Sequence, residues 1–180
     1  MRTCLLTAFA IMASSPAMAG APPPDTGSRA ETPAVRPANP QIDYHGFLEL
    51  TARLQPYREG RLLAREAFFA KARQEDALIL DTRSASAFAA GHIRGAVNLP
   101  FSDFTDEKLA AVLGEDKERP ILIYCNNNFT DDTPPIMKKR MELALNIPTF
   151  VNLVGYGYAN VWELDGVMPV SEVPWVTPQS

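Results

Sequence analysis

Two unbroken apolar runs punctuate the middle of the chain. Residues 77–80 (ALIL) end at Asp81, and residues 121–124 (ILIY) end at Cys125. A compact run of four apolar residues without alternation is the form of a strand buried on both faces, as in a parallel sheet covered by helices. Shorter runs at 61–64 (RLLA), 96–99 (AVNL, stopped by Pro100) and 161–164 (VWEL) supply further strand candidates. Helical signals alternate with them. Residues 66–74 (EAFFAKARQ) have helical texture. Ser84 can cap a short helix over 85–90 that Gly91 closes. Thr105 can cap another, with Asp106 and Glu107 in the first turn where the helix dipole favours acids, and Gly114 ends it. The pattern predicts a helix around 134–145 with its prolines in the first turn, and a further helical stretch over 149–154. Upstream, Phe47, Leu50 and Leu54 fall at helical spacing and predict a short amphipathic helix stopped by Pro56. Short strands alternating with helices imply an α/β fold with a mostly parallel, doubly wound sheet.

The N-terminal pattern is of another kind. Arg2 precedes ten apolar-rich residues, 4–13 (CLLTAFAIMA), and Ala17-Met18-Ala19 ends the stretch in small-x-small form. This reads as an export signal over 1–19, cleaved after Ala19. The run is shorter than the roughly 20 residues that span a bilayer, so no stable membrane insertion is expected after cleavage, and the mature chain is expected to be exported, to a periplasm. Residues 20–41 carry six prolines and few apolar side chains. Such a segment buries too little surface to offset its ordering entropy and reads as an extended linker. The folded domain is expected over 42–180, with 42–58 as a helical extension.

Apolar residues make up 46% of the chain and charged residues 21%, enough for one soluble core. The net charge of −4 argues against nucleic acid as a partner, since phosphate binding needs clustered Lys and Arg. The one basic cluster is Lys138-Lys139-Arg140. The chain has two cysteines and two histidines. Cys4 leaves with the signal, so Cys125 is the mature chain's lone thiol and no internal disulfide can form. Two separated histidines and one cysteine support no metal site, and no cofactor is expected. His45 is expected to be exposed and His92 to make a structural hydrogen bond. Tyr156, Tyr158 and Trp162 are expected in the core.

Cys125 is predicted at the carboxyl end of a central strand, where open α/β sheets bind ligands. Asn126, Asn127, Asn128, Phe129 and Thr130 follow. Asn enters the left-handed region more readily than other non-glycine residues, so a tight loop here could turn successive N–H groups inward as an anion-stabilising nest. A thiol held there, near a helix N-terminus, should have a lowered pKa. The other reading is a buried, inert cysteine at a strand end.

The order of motifs resembles the rhodanese-like family. Leu80-Asp81-Thr82-Arg83 is similar to the family's strand ending in Asp-x-Arg. Residues 86–100 (SAFAAGHIRGAVNLP) resemble its E-F-x-x-G-H-I-x-G-A-x-N-I-P signature. Residues 121–125 (ILIYC) resemble the strand that delivers the catalytic cysteine, and 157–166 (GYANVWELDG) the closing G-Y-x-N-V-x-x-L-x-G segment. The resemblance implies a five-stranded, mostly parallel sheet with helices on both faces. It implies that Cys125 accepts sulfane sulfur as a persulfide and passes it on, as a sulfurtransferase or sulfur carrier. The partner would be a small sulfur-containing substrate, cyanide or a protein thiol. In the family Asp81 and Arg83 look structural.

Two departures bear on activity. Thr130 stands where the family's loop ends in Arg or Lys, and Asp131-Asp132 follow, a pair that would repel anionic donors if it faced the loop. About fifteen extra residues separate Cys125 from the closing Gly-Tyr motif. The added helix expected there could bring Lys138, Lys139 or Arg140 to the loop as the missing cation. The alternative function is a catalytically inactive rhodanese-like binding module.

Overall fold

The computed structural model describes residues 39–177. The expected signal segment with Cys4, its cleavage after Ala19, and all but the last three residues of the linker lie outside them.

Five parallel strands form the sheet: β1 (Leu62–Leu63), β2 (Leu78–Asp81), β4 (Ala96–Asn98), β5 (Ile121–Tyr124) and β6 (Val161–Leu164). Their order is β1-β6-β5-β2-β4, so β5 is central, flanked by β6 and β2. The five-stranded parallel α/β sheet expected from the sequence is therefore what the chain forms. Each strand's alternate residues serve opposite layers. Leu78, Leu80, Ile121 and Ile123 face one core, which is closed by the helices α1 (Tyr44–Glu59), α4 (Asp106–Leu113) and α5 (Asn146–Gly155) through residues such as Tyr57, Leu109 and Phe150. Ile79, Leu122 and Tyr124 face the other core, covered by Phe68 of α2 (Arg65–Ala72) and by Trp175. Cys125 is two residues beyond Ile123, so the same alternation directs it toward the α5 side.

The caps form as expected. The Ser84 hydroxyl accepts the Ala87 N–H at 3.2 Å to start α3 (Ala85–Ala90), and the Thr105 hydroxyl accepts the Lys108 N–H at 3.2 Å to start α4. The glycine–histidine motif also has a local explanation. A Cβ on Gly91 would lie 2.6 Å from Trp175 Nε1. His92 Nδ1 sits 2.9 Å from the Phe88 carbonyl, with its ring stacked on Phe88. Asn98 Nδ2 donates to the carbonyls of Asp81 and Arg83, fastening β4 to the end of β2. His45 is exposed, near Glu49 on α1. Tyr158 is buried with its hydroxyl on the Gly114 carbonyl.

Two expectations need correction, and one element is new. Pro56 does not stop α1, which runs on to Glu59. It lies in the last turn, where its missing N–H forfeits a single bond, and the continuation docks Tyr57 on Phe150 and on the Ala159 carbonyl. Residues 134–145 do not form a helix: they run as turns and extended chain with one short 3₁₀ turn, Met141–Leu143. Side chains of the cysteine loop hold this segment's carbonyls and N–H groups, as described below. Finally, a small antiparallel ribbon, β3 (His92–Ile93) with β7 (Trp175–Val176), has no counterpart in the sequence reading.

Candidate functional site

Cys125 follows the last residue of β5 and is 2% exposed. It nevertheless borders a cavity of about 680 Å³, walled also by Arg83, Phe101, Asn126, Lys138, Lys139 and Leu145, among others. The loop after it is one 3₁₀ turn, Asn126–Asn128. Among the described residues Asp76 is the only non-glycine with positive φ, so the three asparagines do not enter the left-handed region expected of them.

What the asparagines do is tie the loop down by their side chains. Asn126 Nδ2 donates to the Met137 carbonyl, and Asn126 Oδ1 accepts from Arg83 Nη1 at 3.2 Å. Asn127 exchanges two bonds with Lys139: its Nδ2 donates to the Lys139 carbonyl at 2.8 Å, and its Oδ1 accepts the Lys139 N–H at 3.1 Å. Asn128 is buried. Its Oδ1 accepts the Cys125 N–H at 2.9 Å, its Nδ2 donates to the carbonyls of Leu164 and Gly166, and its backbone N–H faces the Cys125 sulfur. The extra segment is thus stitched to the loop as an extended strap, which is why it is not helical.

The amides around the sulfur come from two elements. That of Asn127 comes from the loop and those of Leu145 and Asn146 from the start of α5; the Asn128 N–H, which also faces the sulfur, bonds the Cys125 carbonyl at 3.1 Å. The expected run of inward amides through Thr130 is narrower. The Phe129 N–H bonds the Asn126 carbonyl and the Thr130 N–H bonds the Met168 carbonyl, while the Phe129 ring packs edge-on against Trp175. The α5 amides went unseen in the sequence because the segment before them was read as helix.

Burial pushes the Cys125 thiol above its ordinary range, although the amides of Asn146, Asn127 and Leu145 favour the thiolate; the nearby Glu163 carboxylate adds to the upward shift. The lowered pKa expected from an amide nest is therefore corrected: desolvation outweighs the dipoles.

Asp81 and Arg83 form a buried ion pair, with Arg83 Nη2 2.6 Å from Asp81 Oδ2 and a further bond to the Gly91 carbonyl. The Tyr124 hydroxyl donates to Asp81 Oδ2 at 2.5 Å. This pair is structural, but Arg83 also borders the cavity and touches the loop. Lys138 and Lys139 border the cavity too, whereas Arg140 is exposed and does not. Lys138 Nζ donates to the Thr130 carbonyl at 3.2 Å. The carboxylates of Asp131 and Asp132 lie off the cavity: Asp131 accepts the Val170 N–H and Asp132 accepts the Lys138 N–H. Neither carboxylate borders the cavity beside the cysteine. Tyr156, Tyr158 and Trp162 do not wall the cavity. No cluster of metal-ligating side chains occurs among the described residues, nor does any helix long and apolar enough to cross a membrane.

Comparison with known proteins gives this geometry a family. The model of the rhodanese-like domain matches residues 66–169. The chain belongs to the rhodanese-like domain family. Among curated relatives, a thiosulfate sulfurtransferase GlpE of Pseudomonas putida (strain GB-1) is 30% identical over 94 residues, covering 52% of this chain and 68% of the relative. The GlpE of Pseudomonas entomophila (strain L48) is 29% identical, covering 52% and 69%. Among solved structures, the rhodanese-like domain of the Alr3790 protein from Anabaena sp. is 21% identical with a TM-score of 0.44, covering 66% of this chain and 80% of that one. The polysulfide-sulfur transferase of Wolinella succinogenes is 14% identical with a TM-score of 0.43, covering 73% and 90%. This rhodanese-like domain is thus preceded by α1, which lies outside the matched residues.

Proposed function

We propose that this rhodanese-like protein is an exported sulfurtransferase or sulfur carrier whose working group is Cys125. The observation that carries the reading is a cysteine at the carboxyl end of the central strand that borders a cavity and whose sulfur is met by amides from two elements. The curated relatives, named as thiosulfate sulfurtransferases, support the class of chemistry.

In the proposed reaction the Cys125 thiolate attacks the outer sulfur of a sulfane donor. With thiosulfate, the new S–S bond forms as the old one breaks, and the electron pair departs with sulfite. The product is a Cys125 persulfide anion. An S–S bond is about 2.05 Å long, so its terminal sulfur lies further toward the cavity, where Lys138, Lys139 and Arg83 supply positive charge. An acceptor then attacks that terminal sulfur. A thiolate leaves as a persulfide or cyanide leaves as thiocyanate, and the Cys125 thiolate is regenerated. No net oxidation or cofactor is involved. The N-terminal pattern of residues 1–19 supports the export part of the proposal, and its test is N-terminal sequencing of the exported protein, which should begin at Gly20.

The test of the chemistry is intact mass after exposure to thiosulfate or a small-molecule persulfide. The wild type should gain one sulfur atom and Cys125→Ser should not. No gain with either donor overturns the proposal. A second reading, an inactive binding module, is favoured by one observation: Cys125 is almost fully buried, which also pushes its thiol upward in pKa. That module should alkylate slowly at neutral pH and carry no sulfur after any donor.

A further inference from the structure

Glu163 on β6 is 5% exposed, an unusual depth for a carboxylate. Arg58 on α1 meets it with two parallel bonds, Nε to Oε2 at 2.8 Å and Nη2 to Oε1 at 2.6 Å. The two hydrogens of Asn146 Nδ2 go to Glu163 Oε1 at 3.1 Å and to Asn128 Oδ1 at 3.2 Å. Asn128 Oδ1 is the atom that accepts the Cys125 N–H. An unbroken chain of contacts therefore runs from α1, through β6, the start of α5 and the loop, to the cysteine.

Two consequences follow. The position of Asn146, whose backbone N–H faces the sulfur, depends on Glu163 holding its side chain. Glu163 also places a negative charge two side chains away from a thiol that has to become negative to react. A buried carboxylate without its partner is costly and exerts its full field on its neighbours. The bidentate guanidinium offsets that field at its source. Arg58 is itself held in register by the preceding residue, Tyr57, whose hydroxyl bonds the Ala159 carbonyl and the Arg61 guanidinium.

We propose that Arg58, carried on the helix that precedes the family domain, is a positioning residue for the Cys125 site: it neutralises Glu163 behind the cysteine loop's hydrogen-bond chain and, through Glu163 and Asn146, fixes Asn128 and the amides that receive the charge. The proposal rests on Cys125 being the reactive thiol of the sulfur-transfer reading. The other charged groups bordering the cavity are Arg83, Lys138, Lys139 and Asp103, and the variants below leave all four in place.

The experiment measures the pH dependence of Cys125 alkylation by iodoacetamide in the full chain. The forms compared are wild type, Arg58→Met, Glu163→Gln and the double variant, each with a thermal melt. Both single variants break the same ion pair, so loosening alone moves the thiol the same way in both. Charge placement moves it in opposite directions. Arg58→Met should reduce the thiolate fraction at fixed pH about threefold to tenfold, and Glu163→Gln should raise it by a similar factor. The double variant should return near wild type. Shifts of the same sign, or no shift in Glu163→Gln, overturn the proposal. If Arg58→Met does not fold, Glu163→Gln and Arg58→Lys carry the test, the lysine variant being expected near wild type because it keeps the charge. Alkylation needs no sulfur donor. A protein that shows the opposite shifts yet never loads sulfur would defeat the sulfur-transfer reading and leave the Arg58 assignment standing.

Discussion

Asn128 and Cys125 hold each other: the Asn128 side-chain oxygen accepts the Cys125 N–H at 2.9 Å, while the Asn128 N–H faces the Cys125 sulfur. This reciprocal pair is the geometry of a helix capping box with a sulfur in the capping position. It fixes the loop without any glycine and without left-handed backbone.

Asn128→Ala therefore removes more than one bond. It leaves the Cys125 N–H and the Leu164 carbonyl without this partner in a buried setting, and removes the half-buried bond to the Gly166 carbonyl. The expected loss of stability is at least about 2 kcal/mol, read from urea unfolding. The rate of sulfur loading on Cys125 should fall about tenfold or more in protein that remains folded, because the sulfur's amide neighbours lose their register. A variant that is destabilised yet loads sulfur at the wild-type rate would show that the pair serves folding alone.

Much of this arrangement can be read from the residues, and the limits are physical. The runs at 77–80 and 121–124 identify central strands because strands buried on both faces tolerate only apolar side chains. The caps Ser84 and Thr105 are readable because capping is local. Cys125 at a strand end follows from the same logic. The role of residues 134–145 is not readable, since their conformation is set by Asn126 and Asn127 side chains reaching across the loop, and helical propensity yields to those contacts. The Glu163–Arg58 pair joins residues 105 positions apart, and nothing in the local pattern marks Glu163 as buried. The thiol's upward shift is hidden for a similar reason: amide dipoles can be inferred from a loop, but desolvation depends on the whole packing around it.

That upward shift has a consequence for stability, with a definite sign. Below the ordinary thiol pKa, about 8.5, both the folded and the unfolded chain keep the proton, and the contribution is fully present. As pH rises from there through the higher folded value, the unfolded chain ionises first and the contribution is lost. Cys125→Ser has no such titration. The stability of the wild type relative to Cys125→Ser, from urea midpoints, should therefore decline between about pH 8 and pH 10. A difference that stays constant across that window would mean that the thiol is not shifted upward.

Arg83 shows why the Asp-x-Arg pair resists substitution. Its guanidinium bonds both Asp81 oxygens, the Gly91 carbonyl and Asn126 Oδ1. Arg83→Met leaves Asp81 buried with the Tyr124 hydroxyl and the residue-83 N–H but without a counter-charge, and is expected to cost about 3–5 kcal/mol. Arg83→Lys should recover only part of this, because one ammonium cannot reproduce the forked contacts. Thermal melts of the two variants check the order. A lysine variant as stable as wild type would mean that charge alone, without the fork, satisfies Asp81.

The two lysines on the strap should act differently, through the substrate and not through the fold. Both residues border the cavity, on a segment pinned by Asn126 and Asn127. Lys138 also bonds the Thr130 carbonyl, at the position where a loop cation was expected. An exposed ammonium attracts an anion without strict geometry, and salt screens that attraction over roughly 10 Å at 0.1 M. Lys138→Ala/Lys139→Ala should therefore raise KM for thiosulfate about threefold to tenfold at low ionic strength, with kcat little changed. Added salt should shrink the gap between variant and wild type, and an uncharged sulfane donor should show no gap. If kcat falls instead, with KM unmoved, the lysines act on the reacting sulfur and not on capture of the anion, and the strap belongs to the chemistry of the site.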